Sequence, residues 1–537
     1  MTVRPELIHA AVARQAARTP DAVALVQGGE RVSYAELDAA ADVWAAELRD
    51  LGAGPGGFVP VVLPRSTALV AVLLAVLRTG AAYAALDPRW PVGRLRAVTR
   101  LLAPRVAVGA GARNCWTGPV WSPPADGVRG AARLAAGRRP VPHGTELRPG
   151  AVDGASPAAV FFTSGTTGRP KAVVSGHRAT TGLFGAGAGP LSPGCVMPQA
   201  APVSWDGFTL ESWGPLLAGG TSVLIDGGYL LPATLRGLVA REGVDTVWLT
   251  ASLFHLFVEE DPGCFEGLRH VLTGGERLSV PRVRAFLDRH PRIALTNGYG
   301  PVEACVFTTA RRVRPADCDA AAGIPVGAPV PGRRVHVLAA DGRPVPPGGT
   351  GEICVSGDGL ALGYLGDEEL TARAFPTVGV GGVPTRVYRT GDLGFQDADG
   401  VLHFAGRADR QVKVRGHRVE PEEVEAVARA VPGVTDCAVL PLPGPDGAFE
   451  RLALLYTGRG GPEPGPRAVR RALAAALPRH LLPDLIRRRD ALPLTASGKL
   501  DRAALVRALC PDTGDRTDHR TGVGTGTGTT TGAEDEA

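Results

Sequence analysis

From about residue 20 to residue 310, short apolar runs alternate with longer stretches of helical spacing. The runs 59–63, 158–162, 222–225, 246–249 and 270–272 are short and largely apolar, most of them rich in Val and Leu. Between them lie Ala/Leu/Arg segments with amphipathic periodicity. This alternation predicts an α/β fold with mostly parallel, buried strands. Ten apolar residues, 68–77, run unbroken before Arg78, Thr79 and Gly80, which is too short to span a bilayer and predicts a buried helix. From about 325 to 405 the helical spacing fades. Runs 335–338, 352–355 and 401–404 predict strands there, with turns at Asp341-Gly342 and Asp399-Gly400.

After Gly406 the pattern changes again. Val412 and Val414 alternate with Lys413 and Arg415, which predicts a strand with its charges on one face. Pro421 opens a helix with Val424, Val427, Ala428 and Val431 at i, i+3, i+4 and i+7. These shifts predict a large N-terminal domain over 1–408, with mixed sheets, packed helices and a β-rich subdomain. A small α+β C-terminal domain over 409–510 follows, the boundary falling near Asp409. Residues 511–537 are Gly/Thr repeats ending in acids and are expected to be disordered. No internal repeat is evident.

At 537 residues and 44% apolar content, the chain can bury more than one core. The net charge of +5 is small for this length. Arginine runs such as Arg311-Arg312 and 487–489 lack interleaved aromatics, so they predict solvated faces and no nucleic-acid partner. Eight scattered cysteines without C-x-x-C spacing predict reduced thiols in a cytoplasmic protein. The start lacks a signal-peptide core, and no membrane association is expected. Against 55 arginines stand three lysines, Lys171, Lys413 and Lys499, each in a Gly-rich or turn-flanked segment. A lysine is a compact point charge on a flexible stem, suited to one oxygen of a phosphate or carboxylate. All three are candidates for chemistry.

The strongest local signal is Thr163-Ser164-Gly165-Thr166-Thr167-Gly168-Arg169-Pro170-Lys171, directly after the apolar run 158–162. A strand entering a Gly- and hydroxyl-rich turn exposes N–H and O–H groups that can wrap phosphate oxygens. The spacing is not that of a Walker loop.

Further motifs follow in order: 32–37 (VSYAEL), 77–83 (LRTGAAY), the phosphate loop, 297–303 (NGYGPVE), 351–354 (GEIC), 363–365 (GYL), 388–392 (YRTGD), 406–413 (GRADRQVK) and 497–502 (SGKLDR). This series resembles the adenylate-forming superfamily, and within it the stand-alone adenylation domains of nonribosomal peptide synthesis. The resemblance implies ATP and Mg2+ as cofactors and two half-reactions. An amino-acid carboxylate first attacks the α-phosphate of ATP, giving aminoacyl-AMP and pyrophosphate. A phosphopantetheine thiol on a carrier protein then attacks the activated carbonyl. Two anions meet in the first step, so charge neutralisation and in-line positioning matter more than an acid or base. By the resemblance, Lys499 bridges substrate carboxylate and ATP, and Lys171 and the loop hold the distal phosphates. Glu303 binds the magnesium, a hard-oxygen role. Asp392 accepts the ribose hydroxyls with Arg407 near them. Tyr299 stacks on adenine, Asn297 bonds its edge, and Gly275 lies against the nucleotide. Asp409 matches the hinge about which the small domain swings, and Lys413 would then approach for thioester formation. One departure stands out: Val302 precedes Glu303 where the family usually has Thr.

Trp205-Asp206-Gly207 resembles the segment whose Asp pairs with a substrate α-ammonium. A buried carboxylate needs a cationic partner, so Asp206 favours an α-amino acid. The carried-over pocket lining is Asp206, Gly207, Leu210, Trp248, Leu272, Gly274, Gly298, Val306 and Phe307, with a one-residue slip open at Trp248. No other charge besides Lys499 lines it, which predicts a small to medium aliphatic side chain, valine first, then isoleucine, 2-aminobutyrate or threonine. Discrimination of one methylene is worth only ~1–3 kcal/mol, so relaxed choice among neighbours is expected. An acyl- or aryl-CoA ligase and a non-catalytic ligand-binding homologue are the alternatives. The residues after Arg502 leave no room for a carrier motif, so the carrier is expected to act in trans, and the resemblance allows for a small MbtH-like activator.

Overall fold

The computed structural model describes residues 7–136, 152–165, 170–185, 190–444, 449–458, 464–493, 495 and 500–509. Thr166, Thr167, Gly168, Lys499 and the Gly/Thr repeats therefore lie outside the described residues.

Three sheets carry most of the N-terminal chain. A seven-stranded sheet runs in the order Gly363–Tyr364, Lys171–Gly176, Pro157–Thr163, Ala82–Ala85, Phe58–Val61, Ala107–Val108, Val120–Trp121. Its first two pairings are antiparallel and the rest parallel. A second sheet sets Thr246–Thr250, His270–Gly274 and Ala294–Tyr299 side by side in parallel, with Thr309–Arg312 and Ala328–Pro329 antiparallel at one edge. The third pairs Val23–Gln27, Thr221–Leu224 and Val196–Gln199 in parallel, with Glu30–Ser33 antiparallel outside them. Parallel strands thus make up most of each sheet, as the apolar runs predict, and antiparallel pairings lie toward one edge of each.

Thr67–Thr79 forms the buried helix that the apolar run predicts. Ser66 caps the Leu69 N–H, and every residue from Leu69 to Leu77 is inaccessible to solvent. A truncation such as Leu73→Ala would cost about 2–5 kcal/mol in such packing. Arg333–Leu338, Gly351–Gly357, Tyr388–Gln396 and Leu402–Arg407 then form an antiparallel sheet, where helical spacing fades in the sequence.

The chain after Asp409 has an apolar core of its own. Val412, Val414, Val419, Val424, Leu454 and Leu473 belong to one cluster drawn only from that part of the chain. The helix Pro421–Arg429 packs there, with Val431 just past its end. The expected strand differs in one respect. Val412–Val414 pairs with His417–Val419, and Arg415 lies in the two-residue turn between them with φ 51°, followed by Gly416 at 81°. Two positive φ values in sequence are the mark of a tight type I′ hairpin. Arg415 therefore does not share a strand face with Lys413; it turns outward to Asp484, 2.7 Å away. No helix among the described residues is long and apolar enough to cross a membrane.

Candidate active site

Asp206 stands at the start of the buried helix Gly207–Leu217 and is only 5% exposed. Its Oδ2 accepts the Val306 N–H at 3.2 Å. That N–H is aimed by an unusual backbone, since Cys305 and Val306 both hold positive φ, 57° and 61°. For a β-branched residue this conformation is strained by about 1–3 kcal/mol and persists only where the surroundings impose it. Burial is the main influence on Asp206 and pushes its carboxyl up to about 6, with the Val306 N–H and Lys413 acting against it and Glu303 adding to it.

A cavity of about 60 Å3 adjoins this carboxylate. Trp205, Gly207, Trp248, Gly298, Val306 and Phe307 line it, together with Lys413, Gly416 and Arg418. Trp248 sits within the strand Thr246–Thr250 opposite Leu272 and makes an edge contact with Trp205, which fixes its register. Gly298 is required by its neighbour: a Cβ there would come within 2.2 Å of the Phe307 ring. Leu210 and Leu272 are fully buried in the same core cluster as Trp248, Val306 and Phe307. They and Gly274, paired with Gly298, are not among the residues that line the cavity, whereas Gly275 is.

The strand Ala294–Tyr299 presents a second group of residues. The Tyr299 hydroxyl donates to Asp392 Oδ2 at 2.6 Å, and Asp392 Oδ1 also pairs with Arg407. Arg407 donates at the same time to Asp409, at 2.7 and 2.8 Å. Asn297 donates its side-chain N–H to the Pro325 carbonyl at 2.9 Å. Lys413 Nζ lies 6.0 Å from the centroid of the Tyr299 ring. Its ammonium is held below the ordinary lysine range, chiefly by burial, against the pull of nearby Asp392.

The third group surrounds Glu303, which is completely buried. Tyr364 Oη donates to its Oε1 at 2.9 Å, and Arg418 Nη1 donates to both carboxylate oxygens at 3.0 and 2.8 Å. Burial is the largest influence on Glu303 and opposes its ionisation, but Arg418, a backbone N–H, the Tyr364 hydroxyl and Lys171 together hold the carboxyl below its ordinary value. Close by, Lys171 Nζ pairs with Glu420 at 3.3 Å, Ser164 Oγ donates to the Arg418 carbonyl at 3.2 Å, and Gly165 N–H donates to Glu423 Oε2 at 3.2 Å. The Thr163 hydroxyl is buried without a hydrogen-bond partner. A second cavity, about 590 Å3, opens between Lys171, Tyr388, Arg407, Asp409, Arg418 and Glu420.

Residues 12–365 match the family model of the AMP-binding enzymes, and residues 423–499 match that of the AMP-binding enzyme C-terminal domain. The chain belongs to the AMP-binding enzyme family. Within that family it is similar to malpibaldin synthetase of Mortierella alpina, at 36% identity over 93% of this chain and 9% of that protein. The dimodular nonribosomal peptide synthase of Bacillus subtilis (strain 168) is 36% identical over 92% of this chain and 21% of its own length. The chain thus spans a small fraction of the curated relatives it matches. Among solved structures, holo-PA1221, described as an NRPS protein containing adenylation and PCP domains, matches with a TM-score of 0.82. It is 35% identical, over 94% of this chain and 84% of that one. The chain is therefore an adenylate-forming, AMP-forming ligase of the nonribosomal peptide synthetase adenylation type, and ATP is its cofactor.

For this adenylation domain the structure brings Asp206, Gly207, Trp248, Gly275, Gly298, Val306, Phe307, Asp392, Arg407 and Lys413 to one cavity. Glu303 meets Ser164, Gly165 and Lys171 beside it, through Arg418, Glu420 and Glu423. Val302, in place of the family's usual Thr, is 8% exposed and lines the same cavity. Sequence reasoning missed Arg418, Glu420 and Glu423. Their signal is the dense charge in 415–425 (RGHRVEPEEVE), where the apolar spacing of the helix drew attention away from the polar residues.

Proposed function

We propose that the protein activates an α-amino acid with a small to medium aliphatic side chain, valine first, as aminoacyl-AMP with release of pyrophosphate. It then passes the acyl group to the phosphopantetheine thiol of a carrier protein. The observation that carries this reading is the buried Asp206 carboxylate, which accepts the Val306 N–H and lines a cavity together with Trp205, Trp248, Val306 and Phe307. Such a carboxylate is stabilised by a substrate ammonium, and the indole and phenyl walls leave room only for a modest side chain.

In the first half-reaction Asp206 would hold the ammonium and so fix the carboxylate toward the α-phosphate. Tyr299 and Asn297 would seat adenine, and Asp392 with Arg407 the ribose. Ser164, Gly165 and Lys171 would hold the distal phosphates, with Thr166, Thr167 and Gly168 completing the loop. Lys499 would neutralise charge where carboxylate and α-phosphate meet. Glu303 fits a magnesium ion as a buried hard-oxygen donor. Among the described residues no cluster of three His, Cys, Asp or Glu could hold a metal. When bound, the ion would neutralise phosphate charge. In the second half-reaction Lys413 would face the cavity, and the hairpin pose places it beside Tyr299 and Asp392. Asp409 would be the pivot between the two poses. The similarity to an adenylation–PCP protein supports a carrier protein as acceptor.

The test is ATP–pyrophosphate exchange across the proteinogenic amino acids, 2-aminobutyrate, and a set of aryl and fatty acids. Valine or a near neighbour should give the highest rate. Exchange with aryl or fatty acids alone would move the protein to the acyl- or aryl-CoA ligases and defeat the Asp206 assignment. ATP binding without any exchange would favour a non-catalytic homologue.

A further inference from the structure

Glu211 is a carboxylate that neither half-reaction uses, yet it is only 1% exposed. It lies on the helix Gly207–Leu217, which Asp206 opens. Its Oε2 accepts the Ala201 N–H at 2.5 Å, the Ala200 N–H at 2.7 Å and the Gln199 side-chain amide at 3.3 Å. Gln199 ends the strand Val196–Gln199, so one oxygen ties the exit of the strand to the helix and closes the loop 200–206 between them. Arg65, from the turn after the strand Phe58–Val61, grips the same backbone from its other side. It donates to the Ala200 carbonyl at 2.6 Å, the Ala201 carbonyl at 3.2 Å and Gln199 Oε1 at 2.6 Å. Gln199 Nε2 also donates to the Ala201 carbonyl at 2.8 Å. The N–H and the carbonyl of both Ala200 and Ala201 are thus held by side chains, where no ladder or helix supplies them a partner.

The far end of this loop carries Trp205 and Asp206, which both line the Asp206 cavity. The Trp205 N–H donates to the Pro202 carbonyl at 3.0 Å, and the Thr209 N–H donates to the Asp206 carbonyl at 2.8 Å. Tight turns therefore connect the clamp to the start of the helix. The Ser222 hydroxyl donates to the Glu211 carbonyl at 2.7 Å and pins the helix to its neighbouring strand. Asp206 makes no side-chain capping bond to its own helix, so its carboxylate is placed by the backbone that carries it and by the Val306 N–H. Bonds to an ionised acceptor are the strong kind, and a reacting group displaced by about 1 Å can lose about 10²-fold in rate. Glu211, Arg65 and Gln199 do not themselves line the cavity.

We propose that Glu211, supported by Arg65 and Gln199, is the positioning residue for ammonium recognition, fixing the loop 200–206 so that Asp206 and Trp205 meet the amino-bearing end of the substrate. This rests on the reading of Asp206 as the partner of a substrate ammonium. Glu211 acts through Asp206 and not on the substrate. Its loss should therefore weaken the grip on the amino group selectively. Contacts to the nucleotide and to the substrate side chain come from other elements and should persist. A residue that served the fold alone would weaken every ligand of the site alike.

The experiment is calorimetric titration of the full chain with two non-hydrolysable adenylate analogues that differ only in the amino group, valyl sulfamoyl adenosine and isovaleryl sulfamoyl adenosine. The quantity read is the ratio of their affinities. Wild type should favour the valyl analogue. Glu211→Leu, which removes the acceptor at similar volume, should cut the ratio about tenfold, through the valyl analogue alone. Glu211→Gln keeps one acceptor oxygen and should restore most of the ratio, leaving it within about threefold of wild type. In pyrophosphate exchange the KM for valine should rise in Glu211→Leu while the KM for ATP stays within about twofold. Should Glu211→Leu fail to fold, Arg65→Lys decides, because it keeps the charge of a partly exposed residue and loses the fork; it should cut the ratio about threefold. An unchanged ratio, or equal weakening of both analogues, overturns the proposal. Equal affinity of wild type for the two analogues would instead overturn the Asp206 reading on which it stands.

Discussion

The Asp206 side and the Glu303 side of this site are built in opposite ways. Asp206 sits in a wall made from helix Gly207–Leu217, strand Thr246–Thr250 and strand Ala294–Tyr299, all parts of the large N-terminal core. The Val306 backbone N–H donates to it, and Lys413, Arg407 and Arg418 line the same cavity. Glu303, Lys171 and Gly165 lie equally deep, yet each is already paired with a residue more than 100 positions away in the chain. One side is thus built within the large core, and the other is completed by residues of the C-terminal segment.

That contrast can be broken most severely at Asp206. Asp206→Ala should reduce amino-acid-dependent pyrophosphate exchange by about 10²–10³, the value of a buried charge pair, while MgATP binding is retained. Retained exchange would remove the ammonium assignment. Lys413→Ala should come next, slowing single-turnover transfer from preformed adenylate by about 10² but leaving exchange within about threefold. Equal loss in both assays would mean that Lys413 serves the fold rather than the second step. Gly298→Ala sharpens the Asp206 side. Its methyl must displace the Phe307 ring, an overpacking cost of about 1–3 kcal/mol, and the KM for the preferred amino acid should rise while the KM for ATP stays put.

The smallest effect expected is pH dependence. The Asp206 carboxyl is raised from 3.8 to about 6, so it is neutral below that range and cannot pair with an ammonium. The kcat/KM for the amino acid should fall about tenfold per pH unit below 6, and Asp206→Asn should flatten that limb. For stability the sign is reversed. Between pH 3.8 and 6 the folded state binds more protons at this site than the unfolded chain, so its contribution to stability declines as pH rises through that window. A pH-independent kcat/KM between 5 and 7 would show that the carboxylate does not face the substrate.

Much of the molecule is readable along the chain. The helix Thr67–Thr79 follows from ten unbroken apolar residues, and the strands Pro157–Thr163 and Thr246–Thr250 follow from short apolar runs. These are local matters of periodicity and burial. The ordered motifs carry the adenylate-forming resemblance for the same reason, since each is a short contiguous string. Arg415 escapes such reading because alternation does not distinguish a continuing strand from a type I′ turn when Gly416 follows.

The sequence by itself determined the fold class and singled out Asp206, the 163–171 segment and the three lysines as the residues to test. Tertiary structure alone decided that Leu210 and Leu272 stand in the core while Trp205 lines the cavity, because side-chain direction depends on how helix and sheet are packed. It alone decided the pairing of Arg418 with Glu303 and of Glu420 with Lys171, since ions separated by 115 and 249 positions meet only once two cores have docked.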